Sequence, residues 1–209
     1  MTTDDGGFEG IDVEIAEAIA QKLGLELVID DMDFDAALLA VQEGKSDIVM
    51  SGVSVTDDRK LVMEFSDSYA TAVQMVIVKE DSDVTMDNLG EKMIGCQRGT
   101  TGYIYASDTP ENGGYGEDHV TAYDTGAAAV QALVNGQIDC VIIDSAPAEE
   151  FVKANPGLTL LEGEWVEEQY AIGIDKGNLA LVDAINEALA ELTADGTLQS
   201  IVDKYITAE

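Results

Sequence analysis

An α/β fold divided into two lobes is predicted by three features of the 209-residue sequence. Hydrophobic spacing switches repeatedly between a helical period and short β-rich runs, the pattern of helices packed on sheets. One unit, a helix, a glycine-containing turn, an aspartate and a buried strand, occurs at residues 34–49 and again at 125–141. Two further β-rich runs, 73–79 and 169–174, would carry the chain out of the first lobe and back. The predicted division is therefore 1–76 with 173–209 for lobe one and 77–172 for lobe two, a length that suits two small domains.

Each element has a local cause. Ile11, Ile15, Ala18, Ile19 and Leu23 share a helix face, and Gly24 stops the run. Residues 25–29 read as a strand, 34–41 as a helix stopped by Gly44, and 47–50 as a short buried strand. In the second lobe, strands at 93–97, 120–123 and 138–143 alternate with helices at 100–106, 125–134 and 145–153. Amphipathic helices at 179–192 and 198–205 close the chain, separated by Asp195-Gly196. Such alternation predicts largely parallel sheets.

Composition removes several function classes. The chain carries 42 acidic against 10 basic side chains, a net charge of −32. That field repels phosphate backbones and anionic membrane surfaces, so no nucleic-acid partner is expected. No apolar run approaches the roughly 20 residues that span a bilayer. The acidic, glycine-rich start is unlike an export signal, so the protein is cytosolic or its targeting segment lies outside this sequence. His119 is the single histidine, which disfavours a Ser-His-Asp relay or a histidine-based zinc site. Cys96 and Cys140 form no metal-spaced motif; they are expected as buried thiols, with a disulfide as the alternative in an oxidising compartment. No metal or cofactor is expected.

Three clusters carry chemistry. Arg59, one of only two arginines, follows a predicted strand end in Ser51-Gly-Val-Ser-Val-Thr-Asp-Asp-Arg-Lys60. Ligands gather beyond such ends in α/β sheets, and a guanidinium fork can clamp a carboxylate with two hydrogen bonds. Ser54 and the peptide groups around Gly52 could add polar contacts. The alternative is an Arg59 tied to Asp57 or Asp58 on a solvated turn. In Gln97-Arg-Gly-Thr-Thr-Gly102, Thr100 and Thr101 could cap a helix and offer its first amides to an anion, or simply cap it. The cluster is neither a P-loop nor a full dinucleotide fingerprint. In Ile142-Ile-Asp144-Ser-Ala-Pro147, Asp144 at a strand end could receive an ammonium group; alternatively Asp144 or Ser145 could cap the next helix. A fork and a helix start for a carboxylate, with a carboxylate for an amine, fit the zwitterionic head of an α-amino acid.

The sequence also resembles a known family, the periplasmic amino-acid-binding proteins of ABC importers (solute-binding protein family 3). The resemblance rests on ordered blocks along almost the whole chain. They are Gly10-Ile-Asp-Val-Glu-Ile-Ala-Glu-Ala-Ile-Ala20, the Ser51–Lys60 block with Phe65-Ser-Asp-Ser-Tyr69, Gln97–Gly102, Val141-Ile-Ile-Asp-Ser145, Gln169-Tyr-Ala-Ile-Gly-Ile174 and Ala194-Asp-Gly-Thr-Leu198. It implies a type II periplasmic-binding-protein-like fold, two α/β lobes joined by hinge strands near 75–78 and 170–173. It also implies site roles. Arg59 would clamp the ligand carboxylate with Ser54 and the amides of Thr100 and Thr101. Asp144 would bind the ammonium, with a Ser51 or Gly52 carbonyl. Phe34 would pack on the ligand side chain and Gln97 would meet its distal end, which points to a polar amino acid such as glutamine, arginine or cystine.

Further expectations follow from that resemblance. Hinge closure over a free amino acid would precede docking on an ABC permease, in a periplasmic or extracellular location with or without a lipid anchor. Family members carry a β-strand before the first helix, whereas only about ten residues precede it here. The first strand of lobe one is thus expected to be missing, or to be supplied by another chain in a strand-exchanged dimer. Two rival readings use the same lobes. One is a dehydratase with Glu168 or Asp33 as general acid or base, and the other is an amino-acid-sensing domain of a receptor.

Overall fold

The computed structural model describes residues 7–163 and 165–205. The chain forms two compact units, Met1–Thr71 with Gln169–Glu209, and Ala72–Glu168.

The first unit opens with helix α1 (Ile11–Leu23), which ends where Gly24 turns left-handed and donates its N–H to the Ala20 and Gln21 carbonyls. Helix α2 (Phe34–Gln42), strand β1 (Ile48–Val49), helix α3 (Asp57–Val62) and strand β2 (Met63–Phe65) follow. After the second unit the chain adds strand β9 (Gly173–Asp175) and helices α7 (Leu179–Ala194) and α8 (Thr197–Tyr205). The sheet order is β1-β9-β2, with Val49 and Phe65 both opposite Gly173. Val41, Val49 and Val53 bury against Phe34, Leu38 and Phe65. The apolar stripe of α1, Ile15 and Ile19, packs with α7 and α8, whose Ile185, Leu189, Leu192, Leu198 and Ile201 are buried. Lys22 fastens α1 to the end of α7 through Glu191 and Asp195, each at 3.1 Å.

Strand β3 (Ala70–Lys79) leads into the second unit and strand β8 (Val166–Tyr170) leads out. The sequence reading put these joints a few residues further along. Between them lie β4 (Ile94–Gln97), α4 (Thr101–Ser107), β5 (Val120–Tyr123), α5 (Gly126–Val134), β6 (Cys140–Asp144), α6 (Ser145–Ala154) and β7 (Leu158–Leu160). The sheet runs β5-β4-β6-β3-β7, and β8 also pairs β3. Alternation along β3 and β6 supplies two cores. Val76, Val78, Cys140 and Ile142 join Ile94, Cys96 and Ala106 on one face. Ile77 and Val141 meet Ala129, Leu133 and Ala148 of α5 and α6 on the other. Gly95 is required at its place, because a Cβ there would lie 2.4 Å from the Ile138 Cδ1. Cys96 and Cys140 are free and buried, and burial pushes each thiol up to about 12.

Three expectations are corrected. Residues 25–29 form no strand; Leu25 and Val28 stay 60% and 73% exposed. A β-rich run becomes a strand only when a neighbour takes up its N–H and C=O groups, and among the described residues none stands beside it. Nor are the sheets largely parallel. The first unit's sheet pairs antiparallel, and in the second β4 runs parallel to β5 and β6 while β3 runs antiparallel to β6 and β7. Strands linked through a helix inside one unit can run parallel, whereas β3 and β9, which carry the chain out of one unit or back into it, lie antiparallel to their neighbours. Finally, the run 169–174 is two strands, β8 and β9, broken at Ala171-Ile172.

Candidate functional site

Within the first unit, the turn after β1 and the start of α3 assemble the cluster around Arg59. Thr56 caps α3 by accepting the Arg59 N–H at 3.2 Å, which fixes where the side chain departs. Arg59 is only 8% exposed. Its Nη1 donates to the Ser54 carbonyl at 2.8 Å, and its guanidinium carbon lies 5.5 Å from the Phe34 ring centroid. Asp57, one half of the solvated-turn alternative, pairs with Lys60 instead. Phe34, Ser54 and Arg59 therefore come together, although Ser54 meets the guanidinium with its backbone oxygen. Ser51 is exposed one residue before Gly52.

Gly52 adopts φ 56, and a Cβ there would meet the Tyr170 ring at 3.2 Å. Its N–H donates to Asp12 Oδ2 at 2.9 Å, while the Tyr69 hydroxyl donates to Asp12 Oδ1 at 2.5 Å. Asp12 thus clamps the loop that carries Ser51 and Gly52. Sequence reasoning passed over it, because an acid in the first turn of a helix is ordinary. Burial raises the Asp12 carboxyl above its usual range, outweighing the two bonds that lower it. The folded chain then holds this proton more tightly than the unfolded chain. Asp12 contributes stability below about pH 4 and loses it as pH rises through the raised value. Urea midpoints of the parent chain and Asp12→Asn, measured from pH 4 to 7, should show the parent's relative stability falling as pH rises. A difference that is flat or grows with pH would show that this carboxyl is not the one held protonated.

Within the second unit, the second cluster gathers at the carboxyl ends of β4 and β6. The Thr100 hydroxyl caps α4 by accepting the Tyr103 N–H at 3.4 Å and itself donates to the Gln97 carbonyl at 2.8 Å. Thr101 is buried and donates to Glu168 Oε2 at 2.8 Å. Gln74, buried in β3, donates to the same Glu168 oxygen at 2.8 Å and also to Asp144 Oδ1. Asp144 occupies the N-cap position of α6, yet its side chain makes no cap bond. The capping alternative fails for Asp144, and the carboxylate is held by an amide at the end of β6. Gln97, Thr100, Thr101 and Asp144 all stand at these two strand ends. Gln74 was missed, though a signal existed: a lone glutamine inside the apolar run of β3 is a buried polar group with a partner to find.

The model of "Bacterial extracellular solute-binding proteins, family 3" matches residues 1–208. The chain belongs to this family. The arginine-binding extracellular protein ArtP of Bacillus subtilis is 33% identical over 205 residues, 96% of this chain and 78% of that protein. An ancestral arginine-binding protein bound to glutamine has a TM-score of 0.89 at 35% identity, covering 100% of this chain and 92% of that one. The arginine-, lysine-, histidine-binding protein ArtJ of Geobacillus stearothermophilus has a TM-score of 0.89 at 32% identity, covering 99% and 90%. These solute-binding relatives are binding proteins, not enzymes, and the family's members are extracellular or periplasmic.

Proposed function

We propose that the chain binds a free, polar L-amino acid by hinge closure, delivers it to an ABC permease and catalyses nothing. Arg59 clamps the ligand carboxylate with the amides of Thr100 and Thr101. Asp144 takes the ammonium, aided by a Ser51 or Gly52 carbonyl. Phe34 covers the side chain, and Gln97 meets its far end. The observation that carries this reading is Arg59 itself: a guanidinium in a strongly acidic chain, buried after β1 against a carbonyl and an aromatic ring. The relatives favour arginine, glutamine or a similar side chain, each with polar nitrogen at its far end. Those names also support a place outside the cytoplasmic membrane, with or without a lipid anchor.

A thermal-shift screen against the standard amino acids and cystine tests the proposal. A ligand at 100 times its Kd should add about 2.7 kcal/mol of stability. A clear upward shift with one or a few polar amino acids is expected. No shift with any amino acid at millimolar concentration would overturn it.

A further inference from the structure

Two side chains bonded to the cluster of the second unit, Gln74 and Glu168, have no place among the proposed contacts with an amino acid. Both are buried, and they belong to β3 and β8, the strands that lead into this unit and out of it. The Gln74 Nε2 donates to Asp144 Oδ1 and to Glu168 Oε2, the latter at 2.8 Å. Glu168 Oε2 also accepts the Thr101 hydroxyl at 2.8 Å. One amide thus ties the acid that ends β6 to the threonine that opens α4. It can serve in one orientation only, because its oxygen, turned round, would face two carboxylates. As it stands, Gln74 Oε1 is buried and accepts no hydrogen bond from a described residue. A Cβ on Gly102 would come within 2.8 Å of that oxygen, so the last glycine of Gln97–Gly102 makes room for the amide. An apolar side chain would fill the place without burying an unsatisfied oxygen; what the amide adds is its donor.

We infer that Gln74 and Glu168 are positioning residues for the ammonium group: Glu168 fixes the amide, and the amide fixes the direction of the Asp144 carboxylate. The inference rests on the amino-acid-binding reading and adds to it what makes the site select a charged amine. Two carboxylates bonded to one nitrogen stay close only while that donor lies between them. Without it they repel, and the shorter Asp144 side chain is the one at liberty to swing away. With it, Asp144 meets the ligand already oriented, so binding need not order it.

The test compares the amino acid of largest thermal shift with its deaminated form, in which hydrogen replaces the ammonium. Competition calorimetry gives the ratio of the two affinities, which a general loosening of the fold would leave unchanged. Gln74→Met keeps the side chain's length and drops its donor; it should lower the ratio about tenfold. Gly102→Ala should act in the same direction by pushing the amide aside. It decides the matter if Gln74→Met melts far below the parent, since alanine is the better helix former in α4. Glu168→Ala should also lower the ratio. Glu168→Gln still offers an oxygen to Gln74 and Thr101, so it should return the ratio to within about threefold of the parent. A ratio unchanged in Gln74→Met and Gly102→Ala overturns the positioning role; if Asp144→Ala still loses affinity, the amino-acid reading stands. A Glu168→Gln ratio as low as that of Glu168→Ala also overturns it, by making charge the cause. No thermal shift of the parent chain with any amino acid overturns the positioning role and the reading beneath it together.

Discussion

Arg59→Ala is expected to lower affinity for the best amino acid in the thermal screen by at least about a hundredfold. A charge-assisted hydrogen bond contributes about 1.5–3 kcal/mol, and a bidentate fork makes two. The alanine variant also frees the Ser54 carbonyl and uncovers Phe34, so part of the loss would come from the loop. Arg59→Lys separates these effects. It keeps a positive charge but gives up the planar fork, so it should recover only a small part of the affinity. Calorimetry on both variants decides the matter. Unchanged binding in Arg59→Ala would remove this guanidinium from the site, whereas full recovery by lysine would show that charge alone suffices.

Asp144→Ala should cost a comparable factor, on the order of a hundredfold, by leaving the ligand ammonium without its carboxylate. The ligand-free protein should hardly notice the change. Asp144 caps nothing, and the Gln74 amide that reaches it also reaches Glu168. Melting without ligand is expected to stay within a few degrees of the parent, about 1 kcal/mol at this chain length. Lost affinity with retained melting places Asp144 at the ligand. A large drop in ligand-free melting with little change in affinity would give it a structural role instead. Asp144→Asn refines the result, because the amide keeps the shape and drops the charge.

Much of the fold was legible in the sequence alone, and so were the residue types of the candidate site. Helix α1 begins and ends where its apolar spacing and Gly24 put it, and α5, α7 and β5 fall within two residues of expectation. These are local properties: periodicity, a glycine free to turn left-handed, and a threonine able to cap. Arg59 and Asp144 stood out as candidates for another reason. Arginine is scarce here, and an acid at the end of an apolar strand has few uses. Helix α3 went unread because six residues carry too little periodicity to register.

The sequence by itself determined the alternation of elements, the two-unit plan and the residue types that make up the candidate site. Tertiary structure alone decided how those groups are spent. It put Asp144 against Gln74 rather than on a helix amide, set Asp12 to holding the Gly52 loop, and turned sheets expected to be parallel into antiparallel and mixed ones. It also left residues 26–29 without a backbone hydrogen bond to another described residue, despite their β-forming side chains. The reason is common to all four: a hydrogen bond between distant segments depends on which partner stands beside a group in space, and local spacing along a chain holds no record of that neighbour.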